Sequence, residues 1–136
     1  MNPIVVYFSR TGNTKRLAQA IAEATKAPLY DITEANAEKL SKYDLFIFGC
    51  PVEGASPPKE AAAYIAGLPS VSNKKAILFT TYRLFGNERT MKAIEKELAA
   101  KGYETILKVS KKGMNPKGPA DFSKVLSEVN QTIQKL

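Results

Sequence analysis

The sequence predicts an α/β domain in three layers, a five-stranded parallel sheet with helices on both faces, and three observations carry that reading. Three continuous apolar runs, Ile4-Val5-Val6-Tyr7-Phe8, Leu45-Phe46-Ile47-Phe48 and Ala76-Ile77-Leu78-Phe79, are strand-sized and rich in β-branched and aromatic residues, as suits strands covered on both faces. The segments between them repeat apolar residues at intervals of three and four, the period of an amphipathic helix. Strands alternating with helices imply parallel pairing with crossovers over both faces of the sheet. The third observation is the abrupt stop of the first apolar run at Ser9-Arg10-Thr11-Gly12-Asn13-Thr14, directly before a helical pattern.

Taken in order, the first strand feeds that loop. Leu17, Ile21 and Ala24 then mark a helix with one buried stripe, and Pro28 ends the segment. Leu29 to Ile32 reads as a short second strand, placed at a sheet edge by its brevity and by Asp31. Residues 34 to 41 suit a short helix or turn. Leu45 to Phe48 is the third strand, ending at Gly49-Cys50-Pro51. Ser56-Pro57-Pro58 reads as an N-cap followed by prolines in a first helical turn, and Ala61, Ile65 and Leu68 give that helix its buried face. Lys75 to Thr81 holds the fourth strand, followed by a loop from Tyr82 to Asn87 and a helix carrying Met91, Ile94 and Leu98. Gly102 stands at a helix C-terminus, and Tyr103 to Val109 is a fifth strand, polar enough for an edge. A connection rich in glycine, proline and lysine, Ser110 to Pro119, leads to the last helix, at Phe122, Val125, Leu126, Val129 and Ile133. No repeat or linker divides residues 1–136, so one domain is expected.

The loop after the first strand carries the chemistry. Hydroxyl and amide side chains crowd it, and Gly12 permits a tight turn that brings backbone close to a ligand. The helix behind it starts with unpaired N–H groups and the positive end of its dipole. A plain N-cap would account for any one of these residues; together, directly after a buried-type strand, they point to a phosphate. No Gly-Lys-Ser/Thr follows, which excludes a P-loop triphosphatase, and a single glycine does not make the three-glycine dinucleotide turn.

Composition bounds the partners. The chain has 136 residues, 44% of them apolar, and a net charge of +7 from 20 Lys and Arg against 13 Asp and Glu. The charges are dispersed apart from Lys74-Lys75 and Lys111-Lys112, with no interleaved aromatics, which argues against nucleic acid. No apolar run approaches the roughly 20 residues of a membrane helix, and the first residues show no basic segment with a small-residue cleavage site. The one cysteine, Cys50, has no intrachain partner, so a reducing cytoplasm is the expected location. There is no histidine to activate that thiol, and Cys50 reads as a small buried hydrophobe. No metal site and no catalytic residue is expected.

The hydroxyl-x-Thr-Gly-Asn-Thr run of Ser9, Arg10, Thr11, Gly12, Asn13 and Thr14 resembles the phosphate loop of the flavodoxin family. The resemblance implies the flavodoxin-like fold, sheet order 2-1-3-4-5, with FMN as cofactor and its 5′-phosphate in that loop. In such a sheet the ligand lies beyond the strand carboxyl ends, at the switch point between strands 1 and 3. Gly49-Cys50-Pro51-Val52-Glu53-Gly54-Ala55 is similar in spacing to the Gly-Cys-x-x-x-Gly-x turn of short, clostridial-type flavodoxins. That implies flavin contact from Pro51, Val52, Glu53, Gly54 and Ala55, with Gly54 at the position whose peptide reorients on reduction. Thr80 to Asn87 looks like the family's second flavin loop, which implies contact from Thr81, Tyr82, Arg83, Phe85, Gly86 and Asn87. An aromatic ring stacks on the flavin there, and Tyr82, Leu84 and Phe85 remain alternatives. The chain departs from the family in having no tryptophan, in offering Val52 and Glu53 where an aromatic or methionine often covers the ring, in a second flavin loop about one residue longer, and in being basic where the family is usually acidic.

What the resemblance implies for function is an electron carrier passing single electrons between redox partners. With Arg10, Arg83, Arg89, Lys111 and Lys112 expected around the flavin, the partner is expected to be an acidic redox protein, ferredoxin-like or a flavoprotein reductase. The alternatives are a small FMN-dependent NAD(P)H reductase acting on a quinone or similar acceptor, and a flavodoxin-like binding module that has lost its flavin.

Overall fold

The computed structural model describes all of residues 1–136. The elements alternate as β1 (Pro3–Tyr7), α1 (Asn13–Thr25), β2 (Leu29–Asp31), α2 (Ala37–Leu40), β3 (Leu45–Pro51), α3 (Lys59–Ala66), β4 (Lys74–Tyr82), α4 (Asn87–Ala100), β5 (Tyr103–Lys112) and α5 (Ser123–Gln134). The sheet is wholly parallel in the order β2-β1-β3-β4-β5, as expected. The order reverses between β1 and β3, and the loops leaving their carboxyl ends diverge to opposite faces, which opens a crevice there.

Strand alternation sorts the apolar side chains into two cores. Ile4, Val6, Phe46, Phe48, Ala76 and Leu78 pack under α2, α3 and α4, against Leu40, Ala61, Ile65, Met91, Ile94 and Leu98. Val5, Leu45, Ile47, Ile77 and Phe79 face the other way, against Leu17, Ala18 and Ile21 of α1 and Val125 and Val129 of α5. The fully apolar runs thus reflect a requirement on both faces at once. On the first face Phe46 stacks on Phe48 with ring centroids 5.6 Å apart and Phe48 on Tyr64 at 5.9 Å, while the Tyr64 hydroxyl donates to the Ala35 carbonyl at 2.7 Å.

Three sequence expectations are corrected. Strand β5 runs to Lys112 rather than Val109, because Ser110, Lys111 and Lys112 pair in register with Thr80, Thr81 and Tyr82; an edge strand needs no apolar alternation to make that ladder. Ser56 does not cap α3. The N-cap position is Pro58, with no side-chain cap, and Ser56 instead closes a turn with Glu53. Asn87, expected in the loop, is the first residue of α4.

Gly49 in β3 has a packing reason. A Cβ there would lie 2.0 to 2.3 Å from ring atoms of Phe79 on the neighbouring strand, so the Phe79 ring occupies the space a side chain would need. Gly49→Ala is expected to destabilise the chain by about 1–3 kcal/mol through overpacking, read as a lower urea midpoint at unchanged slope. An unchanged midpoint would show that the ring moves aside freely.

Candidate functional site

The phosphate-type loop is pinned from within. Phe8 N–H donates to the Gly49 carbonyl at 3.0 Å, the last parallel contact before the chain turns. Ser9 Oγ then accepts from Gly12 N–H at 3.1 Å and from Lys15 N–H at 3.2 Å, drawing the loop onto the start of α1. Gly12 stands at the N-cap with φ 101°, a left-handed conformation that L side chains rarely adopt, and contributes no side-chain cap. The N–H groups of Thr11, Asn13 and Thr14 find no acceptor within the chain, and the first turn of α1 holds no acidic residue. Unpaired donors at a helix's positive end, with no carboxylate to occupy them, form a site for an anion.

Thr14 and Asn13 tie this loop to the rest of the crevice. Thr14 is buried, and its hydroxyl bonds that of Thr81 on β4 at 2.7 Å. Asn13 Nδ2 donates to the Met114 carbonyl at 3.1 Å, while its Oδ1 is buried without a partner. One turn on, Arg16 donates to the carbonyls of Asn115 and Gly118 at 3.0 and 2.8 Å. The connection after β5 is thereby strapped over the start of α1.

The loop after β3 is a two-residue reversal. Glu53 N–H donates to the Ser56 carbonyl at 2.9 Å and Ser56 N–H returns to Glu53 at 3.1 Å, with Gly54 and Ala55 both at φ 60°. Two positive-φ central residues define a type I′ turn. Arg10 grips this turn. Its Nε and Nη2 donate to the two Glu53 oxygens at 2.8 and 2.9 Å, its Nη1 and Nη2 to Glu60 at 2.6 and 3.1 Å, and the guanidinium lies 4.8 Å from the Phe8 ring centre. These hydrogen bonds raise the Arg10 pKa and hold the Glu53 and Glu60 carboxyls below the ordinary carboxylate value. The expectation that Arg10 lends its positive charge to the site is corrected: the charge is engaged by two carboxylates, and Arg10 acts as a clamp between loops. The loop after β4 closes the other side. Gly86, at φ 95°, leaves no room for a side chain, since a Cβ would lie 2.7 Å from Ala55 Cα and 3.0 Å from Val52 Cγ1.

Between these loops lies a cavity of about 360 Å³, within the usual range for small-molecule sites. It brings together Arg10, Thr11 and Asn13 from the first loop, Pro51, Val52 and Glu53 from the second, and Thr81, Tyr82 and Arg83 from the third. Ser9, Gly12 and Thr14 do not line it; they hold the first loop in shape through the hydrogen bonds and the left-handed turn described above. Gly54, Ala55 and Phe85 line a separate shallow groove with Leu84, joined to the cavity through Val52 and Arg83. Gly86 and Asn87 line neither: Gly86 packs on the turn, and Asn87 donates to Ser110 Oγ at 3.0 Å. Among the aromatic candidates, half-buried Tyr82 faces the cavity, whereas Leu84 and Phe85 are each 71% exposed on the groove. Sequence reasoning missed Met114 and Pro116, which line the cavity; the glycine- and proline-rich connection leaving β5 was the available signal. Cys50 is fully buried in the core, and burial pushes its thiol up to about 12, which makes it inert. Unpaired N–H groups, an orphaned Asn13 oxygen and an adjoining cavity lined by a tyrosine fit a phosphorylated, ring-bearing ligand.

The chain belongs to the flavodoxin-domain family, whose model matches residues 4–116. An uncharacterized protein of Methanocaldococcus jannaschii is 28% identical over 120 residues, covering 87% of this chain and 79% of its own length. The flavodoxin of Clostridium beijerinckii is 27% identical over 111 residues, 76% of this chain and 78% of that one. The crystal structure of oxidised flavodoxin 2 from Bacillus cereus superposes over the full length of both chains with a TM-score of 0.81 at 21% identity, a shared fold. Flavodoxins are FMN-binding electron-transfer proteins, and this chain has that family's cofactor class and sheet. No helix is long and apolar enough to cross a membrane.

The clamp has a pH signature. Because Glu53 and Glu60 titrate lower in the folded chain than their ordinary value of 4.5, their pairing with Arg10 contributes stability that is complete above about pH 4.5 and lost as pH falls through the folded values. Arg10→Gln is therefore expected to melt below the wild type at pH 7, with the gap shrinking as pH drops below about 4.5. A pH-independent gap in thermal scans would contradict the clamp.

Proposed function

We propose that this protein is an FMN-bearing electron carrier that serves a protein redox partner in a reducing cytoplasm. The observation that carries the proposal is the set of unpaired N–H groups of Thr11, Asn13 and Thr14 opening on a cavity lined by Pro51, Val52, Thr81 and Tyr82. These N–H groups would hold the FMN phosphate without a basic side chain, each charge-assisted bond being worth about 1.5–3 kcal/mol. Pro51, Val52, Tyr82, Met114 and Pro116 line the cavity beside those donors and are the residues that would hold the rest of the cofactor. FMN supplies one- and two-electron chemistry at its isoalloxazine ring; the protein's part is to hold it, limit water and set which redox state is bound more tightly.

Thr11 is the clean test, because its side chain is exposed and makes no contact that holds the loop. Thr11→Ala is expected to weaken FMN binding about tenfold or more, the loss of one hydrogen bond to a charged group, with an unchanged melting temperature. Riboflavin, lacking the phosphate, is expected to bind the wild type and the variant equally weakly by calorimetry. Equal affinity of the wild type for FMN and riboflavin would defeat the reading.

The Glu53–Ser56 turn supplies a lever on potential. Ala55 at φ 60° carries a left-handed penalty of about 1 kcal/mol. Rotating the Gly54–Ala55 peptide converts a type I′ turn to type II′, which returns Ala55 to negative φ and leaves the demanding position to Gly54. If the reduced form uses the rotated turn, Ala55 favours reduction. Ala55→Gly removes the penalty from the starting turn alone and is expected to make the first reduction potential more negative by about 40 mV, from 59 mV per tenfold. A shift to a less negative potential would show the opposite preference.

A further inference from the structure

The connection from β5 to α5 carries no helix or strand between residues 113 and 122, yet Met114 and Pro116 form part of the cavity wall. Few hydrogen bonds hold them there. Gly113 N–H donates to the Tyr82 carbonyl at 2.8 Å where the segment leaves the sheet. Asn115 to Gly118 then close a turn, Gly118 N–H donating to the Asn115 carbonyl and Lys117 N–H to Asn115 Oδ1, both at 3.0 Å. Pro116 presets the backbone at its second position. These bonds shape the turn without tying it to the rest of the domain. The bonds that do so come from α1: Asn13 Nδ2 on the Met114 carbonyl at 3.1 Å, and Arg16 Nη1 and Nη2 on the Asn115 and Gly118 carbonyls at 3.0 and 2.8 Å.

Arg16 is built into this place. It stands three residues after Asn13, on the same side of α1, and its planar fork takes the first and the last residue of the turn together, a grip that a single ammonium does not reproduce. Unlike Arg10, it forms no ion pair; its guanidinium is engaged by the two carbonyls alone. Its neighbour Lys15 is exposed and its ammonium bonds nothing in the chain. Arg16 does not line the cavity, so whatever it does for a ligand passes through Met114 and Pro116.

We propose that Arg16 is a positioning residue for the cofactor: it fastens the Asn115–Gly118 turn to α1 so that Met114 and Pro116 stand as a preformed wall, and it thereby sets how long the ligand stays bound. This rests on the FMN reading and adds to it a residue that neither the loop motifs nor the cavity lining contains. A segment without regular structure loses conformational freedom when it orders. An anchor made beforehand leaves less of that loss to the binding step.

The test compares the wild type with Arg16→Gln and Arg16→Lys. In the apo protein, hydrogen exchange at the Lys117 and Gly118 amides reads the turn itself. Arg16→Gln is expected to speed it about tenfold or more, while Ile47 and Ile77 in the central strands keep their protection. In the loaded protein, Arg16→Gln is expected to release FMN about tenfold faster. It is also expected to weaken riboflavin by the same factor as FMN, because the wall meets the part that the two ligands share. Arg16→Lys keeps the charge without the fork and is expected to fall between. Wild-type exchange at Lys117 and Gly118 in Arg16→Gln would overturn the proposal, as would a loss of protection that extends to Ile47 and Ile77. So would weakening of FMN but not riboflavin with full recovery in Arg16→Lys, the mark of a charge acting on the phosphate. FMN released by Arg16→Gln at the wild-type rate would sink this inference alone, and a wild type that takes up no FMN would sink the electron-carrier reading with it.

Discussion

A helix that begins with unsatisfied N–H groups exactly one loop beyond the first strand is the constraint around which the chain is arranged. Thr11, Asn13 and Thr14 offer donors that no acceptor in the chain takes. Such groups favour an anion at the positive end of the α1 dipole. Their position follows from the sheet, because β1 is central and its neighbour β3 sends its own loop away on the other face. The crevice between the two is the place where a ligand can meet several loops at once.

Those loops are not independent. Arg10 joins the first to the second through Glu53 and Glu60, Thr14 joins it to β4 through Thr81, and Asn13 and Arg16 join it to the connection after β5. Gly86 lets the third loop rest directly on the turn of the second. The first loop is therefore the hub. The hydrogen bonds and ion pairs it makes tie the lining of the cavity to the ends of β1, β4 and β5 and to the turn after β3.

The strands were legible because a strand covered on both faces must be apolar at every position: Ile4 to Tyr7, Leu45 to Phe48 and Ala76 to Phe79 all lie in the two cores. Helices α1, α4 and α5 were legible from one-sided periodicity. The end of β5 was not, since Ser110 to Lys112 owe their strand conformation to backbone pairing with β4 rather than to side-chain pattern. The first loop announced its chemistry within six consecutive residues. The Arg10 clamp could not be anticipated, because Arg10, Glu53 and Glu60 are brought together only by the sheet. Met114 and Pro116 reach the cavity because the connection that carries them is held by the Met114 carbonyl, which accepts from Asn13, and by the Asn115 and Gly118 carbonyls, which accept from Arg16, and backbone acceptors leave no trace in side-chain identity. Ser56 misled because a hydroxyl before two prolines has the composition of a cap, while a turn with Glu53 uses only its backbone.

The central claim is that an anion sits on the N–H groups at the start of α1, and amide spectroscopy reads those groups directly. In a ¹⁵N–¹H titration of the apo protein with FMN, the amide protons of Thr11, Asn13 and Thr14 are expected to move strongly downfield as they bond phosphate oxygens, while riboflavin leaves them in place. If FMN binds and these three resonances stay where they were, the phosphate lies elsewhere and the account built on this loop fails.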